Sequence, residues 1–219
     1  GWVTRRRVLY IETREKTSAR IEQKRMSAKD FSIERFSKDI AEVISYYQLK
    51  NEFHLFSSSL GSTLLIDSLQ RREIHAKSSL FVAPNEHFKL PLWSRIIIKL
   101  PLPIVVLKLM RSITLRAIER KVKEEGQRIR YRRALMEQEL VRWRASARSL
   151  IAYSLPDDLS NISVPCGILA AQSDKLHAMD AAKSIAARIP GAAMIEVPSN
   201  QYAHEADVLV EVEAFHASL

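Results

Sequence analysis

The chain has 219 residues, of which 47% are hydrophobic and 27% charged, so its composition is that of a folded protein and excludes intrinsic disorder. The single cysteine, Cys166, excludes an intrachain disulfide and a zinc site built on cysteines. The five glycines are too widely spaced for a dinucleotide-binding or P-loop fingerprint. The net charge is +9, and residues 86–150 account for it, because they hold 16 Lys and Arg against 6 Asp and Glu.

The first part of the chain alternates short apolar segments with amphipathic ones. Residues 7–13 (RVLYIET) are β-branched and aromatic, which predicts a buried strand. Apolar residues spaced by three and four predict a helix over 33–47, with Ser32 as its N-cap. Further predicted elements are a strand at 52–56, a helix at 62–69 and a strand at 78–83.

The basic segment interrupts this alternation. It is predicted to be helical from Ile104 to Arg133 and onward to Leu150, after an apolar part that prolines break. Its apolar stretch Ile96–Met110 spans 15 residues and contains Lys and Pro, so it is too short and too broken for a membrane-spanning helix. Strands then return at 164–171 and 193–197, with helices at 179–189 and 206–215. This order predicts an α/β protein with a mostly parallel sheet and a helical insertion between the third and fourth strands.

A serine follows the second predicted strand directly, in the run Ser57-Ser58-Ser59-Leu60-Gly61. A sharp turn from a strand into a helix holds the central hydroxyl clear of the backbone and points the next N–H groups at the same spot. The small residues two positions before and after Ser59 relieve crowding in such a turn. The pattern therefore indicates a serine that is placed for chemistry.

Residues 31–65 (FSIERFSKDIAEVISYYQLKNEFHLFSSSLGSTLL) resemble the helix–strand–elbow–helix core of an α/β-hydrolase, whose elbow reads G-x-S-x-G. Three later segments resemble the strand that leads into the family's cap, the strand that carries the triad acid, and the last strand with the triad histidine; they are LFVAPN, ISVPCGILAAQSDKLH and IPGAAMIEVPSNQYAHEADVLVEVEAF. Residues 7–18 resemble the family's preceding strand and turn. There Glu12, Arg14 and Ser18 stand at matching places, but Glu15 and Thr17 replace the usual glycines.

The resemblance implies a catalytic triad in the order Ser59, Asp174, His204. A serine hydroxyl is too weakly acidic to attack a carbonyl unaided, so His204 would accept its proton and Asp174 would fix the imidazole tautomer. The backbone N–H of Leu60 would donate to the oxyanion.

Several residues compete for these roles. Ser58 is the neighbour most easily confused with Ser59, and its alternative role is a turn hydrogen bond. Asp174 could instead cap a helix, and Asp180 is the rival acid. His87, His177 and His216 fit the family order less well than His204. Two further residues have structural interpretations: His54 as a sheet residue and Cys166 as a small buried hydrophobe.

The family usually has roughly 50–70 residues before the strand that opens this chain, including the loop that supplies the second oxyanion donor. We therefore expect the chain to be N-terminally incomplete, with residues 1–85 and 156–219 forming the hydrolase core and 86–155 a basic helical cap.

The resemblance favours a serine hydrolase that cleaves carboxylic esters with an apolar acyl group through an acyl-enzyme, without metal or organic cofactor. A haloperoxidase or a C–C-bond hydrolase would use the same three residues. The alternative is a non-catalytic hydrolase-fold protein whose basic cap binds acidic partners or an anionic membrane surface. Nucleic acid is a weaker expectation, because no reading motif accompanies the charge. With no secretory signal visible, we expect a cytoplasmic protein, peripheral to membranes if the cap binds them.

Overall fold

A computed structural model of the protein describes residues 6–22, 26–50, 52–88, 92–171 and 179–219, apart from the side chain of Trp93. The chain forms two compact units. The first comprises Gly1–Tyr10, Ser37–Glu86 and Leu155–Leu219, and the second comprises Ile11–Phe36 and His87–Ser154.

The first unit is built on a four-stranded parallel sheet. Its strands are β1 (His54–Ser58), β2 (Ser78–Val82), β3 (Cys166–Ala171) and β4 (Ala193–Val197), and their spatial order is the same as their order along the chain. The register pairs Phe56 with Leu80, Leu80 with Gly167, and Gly167 with Ala193. Because the strands are parallel, the loops that follow them all leave from one edge of the sheet.

The helices of the first unit are α1 (Ile33–Tyr46, whose first residues belong to the second unit), α2 (Leu60–Gln70), α7 (Met179–Arg188) and α8 (Leu209–Ala217). Residues 62–69 of α2 are all buried, which is typical of a helix that lies in the protein interior and is covered on all its faces. Two short 3₁₀ helices, Tyr202–His204 and Ala206–Val208, lie between β4 and α8. Helix α2 therefore starts at the end of β1, and the 3₁₀ helices start soon after the end of β4.

The core of the first unit lies along β2 and β3, whose residues are all buried. Such continuous burial is expected of central parallel strands, because both faces of the sheet are covered. Gly167 of β3 lies where three side chains converge, those of Leu80, Ile195 and Phe215. Strands β1 and β4, which carry the elbow and the His204 loop, thus pair with closely packed central strands.

The second unit is helical. It contains the 3₁₀ helix Ala28–Phe31 and the helices α3 (Leu92–Ile97), α4 (Ile104–Lys121), α5 (Glu125–Met136) and α6 (Leu140–Leu150). Glu139 caps α6 by accepting hydrogen bonds from the backbone N–H groups of Val141 and Arg142, at 3.2 and 2.8 Å. The Arg142 guanidinium also donates to the carbonyls of Lys16 and Ala19, at 3.1 and 2.7 Å, and so holds the 14–19 loop against α6. Across the described helices, none is both long and apolar enough to cross a bilayer.

Two local predictions were wrong. Residues 7–13 form no strand, and Val8 and Tyr10 are exposed to solvent. Strand propensity is expressed only where a segment gains cross-strand partners and burial, and this segment gains little of either. The predicted helix 104–133 is interrupted at 122–124, where Val122 adopts an extended backbone and buries its side chain.

Candidate active site

Ser59 lies at the turn from β1 into α2, with φ 52° and ψ −115°. Such a conformation costs a residue with a Cβ of the order of 1–3 kcal/mol and persists only where its surroundings enforce it. The Ser59 N–H donates to the Val82 carbonyl at 2.9 Å, and its own carbonyl accepts from Thr63 N at 3.1 Å. The backbone of Ser59 is thus fixed by β2 on one side and by the first turn of α2 on the other.

Ser57 stands where the elbow pattern normally has glycine. Its hydroxyl makes a hydrogen bond with the Ser62 hydroxyl at 3.1 Å, so the extra side chain is accommodated inside the turn. A Cβ placed on Gly61 would lie 3.6 Å from the Ser57 Cβ, which is an ordinary van der Waals distance. The turn therefore accommodates the Ser57 side chain without a steric clash.

His204 ends the 3₁₀ helix that follows β4, and its ring is half-buried. Its Nε2 lies 2.7 Å from the Ser58 Oγ, and its Nδ1 lies 2.8 Å from the carbonyl oxygen of Asn200. A carbonyl oxygen can only accept, so Nδ1 carries the proton, and the Nε2 of the neutral ring accepts from the Ser58 hydroxyl. This is the tautomer that a general base acting through Nε2 requires.

The sequence did not predict Asn85, which reaches the Ser59 hydroxyl. The Asn85 side-chain amide donates to the Ser59 Oγ at 3.4 Å. The Asn85 backbone is held by the Thr63 hydroxyl, which lies 2.9 Å from both its N and its O. Asn85 lies two residues after Ala83, whose φ of 47° is strained for a residue with a Cβ. The only signal in the sequence is the position of Asn85 just after a predicted parallel strand, at the edge where ligands bind in such sheets.

The remaining candidate residues from the sequence lie in several different parts of the chain. Asp174 and His177 are outside the described residues. Asp180 lies exposed in the first turn of α7. His87 belongs to the second unit, where its Nδ1 contacts the Ser154 Oγ at 3.0 Å. Leu60 is the first residue of α2, so its N–H belongs to the turn whose amides have no acceptor within the helix.

His54 and His216 lie together, with ring centroids 4.1 Å apart. His54 Nδ1 also contacts the Ser78 Oγ at 2.7 Å, so His54 is indeed a sheet residue with a partner. This pair connects β1 with α8.

Cys166 is 1% exposed, and burial raises the pKa of its thiol to about 12. A thiol with so high a pKa supplies almost no thiolate at neutral pH, so Cys166 is a buried structural residue. Within the described part of the chain, no group of three or more His, Cys, Asp or Glu side chains is arranged to hold a metal ion.

No protein-family model matches the sequence, and no curated protein matches it either. Solved structures do match. An esterase from Exiguobacterium antarcticum has a TM-score of 0.72 and 16% identity, over 95% of this chain and 80% of that one. A hydrolase from Pseudomonas aeruginosa has a TM-score of 0.70 and 16% identity, over 94% and 77%. An enol-lactonase from Burkholderia xenovorans has a TM-score of 0.71 and 15% identity, over 94% and 79%.

The chain has the α/β-hydrolase fold. The predicted fold class is thereby confirmed, with a parallel sheet whose strands alternate with helices. Identities near 16% establish the fold alone, and one fold carries many chemistries. In this α/β-hydrolase fold, the elbow with Ser58 and Ser59 lies beside the loop with His204.

Proposed function

We propose that the protein is a serine hydrolase in which Ser59 is the nucleophile and His204 the general base. The observation that carries the proposal is the Ser59 backbone, which is held in a strained conformation at the turn from β1 into α2. Strain of this kind accumulates where function demands it. The position of His204 also supports the proposal, because its Nε2 lies 2.7 Å from the hydroxyl of Ser58, the residue before Ser59.

The chemistry proceeds through an acyl-enzyme. The Ser59 hydroxyl attacks the ester carbonyl while His204 Nε2 takes its proton, and the Leu60 N–H donates to the oxyanion. Nε2 then returns the proton to the departing alcohol as the ester C–O bond breaks, and water hydrolyses the acyl-serine by the same steps. Asp174 is the proposed acid that stabilises the imidazolium.

In this mechanism, substrate binding must be accompanied by a movement of the His204 ring. The His204 Nε2 hydrogen bond goes to the Ser58 hydroxyl, one residue before Ser59. Proton transfer from Ser59 requires Nε2 to turn from one hydroxyl to the next. Ser58 is thus proposed to hold the imidazole at the elbow until substrate arrives.

The proposed substrate class is a carboxylic ester. An esterase and an enol-lactonase are among the similar structures, and both names denote cleavage of a carboxylic ester bond. The preference for an apolar acyl group stays a prediction from the sequence. A haloperoxidase or C–C hydrolase reaction would use the same groups, and product analysis distinguishes them.

The test is labelling by a fluorophosphonate, with the modified peptide identified by mass spectrometry and p-nitrophenyl butyrate hydrolysis measured in parallel. We expect Ser59→Ala to abolish both labelling and hydrolysis, and His204→Asn to lower kcat by at least about 10³-fold. Ser58→Ala should retain the label on Ser59. Ser112→Ala, a substitution at an exposed serine of α4, is the matched control and should behave as the wild type.

Two outcomes contradict this assignment. A label on Ser58 that survives Ser59→Ala would make Ser58 the nucleophile. Absence of label and of hydrolysis in the folded wild-type chain would support the alternative, a non-catalytic protein with the hydrolase fold.

A further inference from the structure

One stretch of the second unit has no acidic residue. Residues 87–118 contain six Lys and Arg and no Asp or Glu. The nearest carboxylates along the chain are Glu86 and Glu119, at its two ends. The stretch covers α3, the Pro-containing link and most of α4. All the formal side-chain charges in this stretch are therefore positive.

The same stretch exposes large apolar side chains. Seven of them are between 44% and 75% accessible to solvent: Leu92, Ile96, Leu100, Ile104, Val105, Leu109 and Ile113. All seven lie in the second unit, on consecutive turns of chain. Scattered exposed apolar residues are ordinary, but seven within 22 positions are dense, and Val105, Leu109 and Ile113 are spaced by four on α4 and so share one face of that helix.

Basic side chains alternate with these apolar ones. Arg95, Lys99 and Lys108 are exposed in the same turns, and Arg116 is exposed one turn beyond Ile113. Long basic side chains can lay their stems along an apolar surface and extend their charges to an anionic layer above it. We call the seven apolar residues and these four basic residues the basic apolar surface.

We propose that the basic apolar surface binds the face of an anionic lipid bilayer. A bilayer interface offers what this surface lacks, namely an apolar layer for the seven side chains and negative headgroups for the basic ones. Since none of the described helices is suited to crossing a bilayer, the segment would lie in the plane of the interface.

Two other occupants fit less well. A second copy of the chain would bring two acid-free basic stretches together, and their like charges would repel. A nucleic acid would satisfy the charge, but single strands are usually held by stacking on successive aromatic side chains, and residues 87–118 contain two, Phe88 and Trp93, both near one end of the stretch. The combination of exposed apolar and basic groups favours lipid over both.

The experiment is flotation of the full-length chain with vesicles of phosphatidylcholine alone or mixed with phosphatidylserine, at low and high salt. We expect binding to the mixed vesicles only, and weakening of that binding by salt. Lys99→Glu with Lys108→Glu should lower the partition coefficient by about 25-fold or more, at about fivefold for each charge removed. Val105→Ser with Leu109→Ser should lower it by at least about tenfold.

Matched controls use exposed residues elsewhere. Ile129→Ser is the apolar control in α5, and Lys50→Glu is the charge control in the first unit. Both should bind vesicles as the wild type does. All the substituted side chains are exposed, so the variants should fold, and circular dichroism verifies this.

Three results would overturn the proposal: no binding to either vesicle, equal binding to both, or loss of binding in the controls as large as in the surface variants. Concentration-dependent dimerisation that Leu109→Ser abolishes would assign the patch to a second copy instead. The assay contains no substrate, so its outcome is independent of the proposed hydrolase activity.

Discussion

Gly167 is a residue whose missing side chain shapes the centre of the sheet. A Cβ added there would lie 2.6 Å from Leu80 Cδ2, 3.2 Å from Ile195 Cδ1 and 3.3 Å from Phe215 Cδ2. The first of these distances is too short for two carbon atoms, so neighbouring side chains would have to move. Gly167 therefore sets the spacing between β3 and the side chains around it.

We expect Gly167→Ala to lower the free energy of unfolding by about 1–3 kcal/mol, because overpacking forces its neighbours from their preferred rotamers. Urea denaturation measures the effect. Gly61→Ala is the matched control, since its Cβ would meet only the Ser57 Cβ at 3.6 Å and alanine favours the helix. Equal stability of the two variants would contradict this account of the packing.

The sequence could predict some side chains of the candidate site and not others. Ser59 and His204 were predicted because each follows its own predicted strand and matches a pattern. The Ser58–His204 hydrogen bond depends on which way the elbow aims two adjacent hydroxyls, which the backbone angles of Ser59 decide. Asn85 contacts a serine 26 positions away, and no local pattern encodes that contact.

The His54–His216 pair connects β1 with α8 and makes that contact sensitive to pH. Burial lowers the pKa of both rings, and the charges of Lys77 and Arg6 lower that of His54 further. Besides burial, His54 and Arg6 lower the pKa of His216. Each ring is therefore more easily protonated in the unfolded chain than in the folded one.

It follows that the pair stabilises the fold fully above the ordinary histidine pKa of about 6.5, and that this contribution is lost as pH falls below that value towards the lowered folded pKa. We expect the free energy of unfolding, measured by urea denaturation between neutral and mildly acidic pH, to fall less steeply in His216→Gln than in the wild type. Ser112→Ala, at an exposed serine that does not titrate in this pH range, should keep the wild-type slope. Identical slopes in all three proteins would contradict the prediction.

The elements themselves were largely predictable, because buried parallel strands are short apolar runs between turn residues. Strand β3 was predicted at 164–171 and is observed at Cys166–Ala171. Residues 7–13 share that composition but lack the partner strand and the burial that make a strand. A single sequence gives the composition of a segment but not its neighbours, so this error could not be avoided.

For the whole molecule, Cys166 is an internal reporter of unfolding. Its thiol is buried at the first residue of β3 and has a raised pKa of about 12. We expect native protein at mildly alkaline pH to react with dithionitrobenzoate only as fast as the sheet opens, whereas protein in guanidinium reacts at once. Gly167→Ala should speed the native reaction. Rapid stoichiometric labelling of native wild type would show that β3 is accessible without unfolding.

Whole-molecule organisation was predictable where it follows from chain order. Alternating strands and helices imply parallel neighbours, and the sheet order β1-β2-β3-β4 agrees with that rule. The membership of residues 11–36 in the helical unit was not predictable. It depends on contacts such as those of Arg142 with the carbonyls of Lys16 and Ala19, more than 120 positions away.

The hydrogen bond between Ser58 and His204 joins residues 146 positions apart. During synthesis, the elbow serines leave the ribosome long before His204 does. If His204 is the general base, as proposed above, a nascent chain has no base for Ser59 until His204 has emerged and the segment after β4 has folded against the elbow.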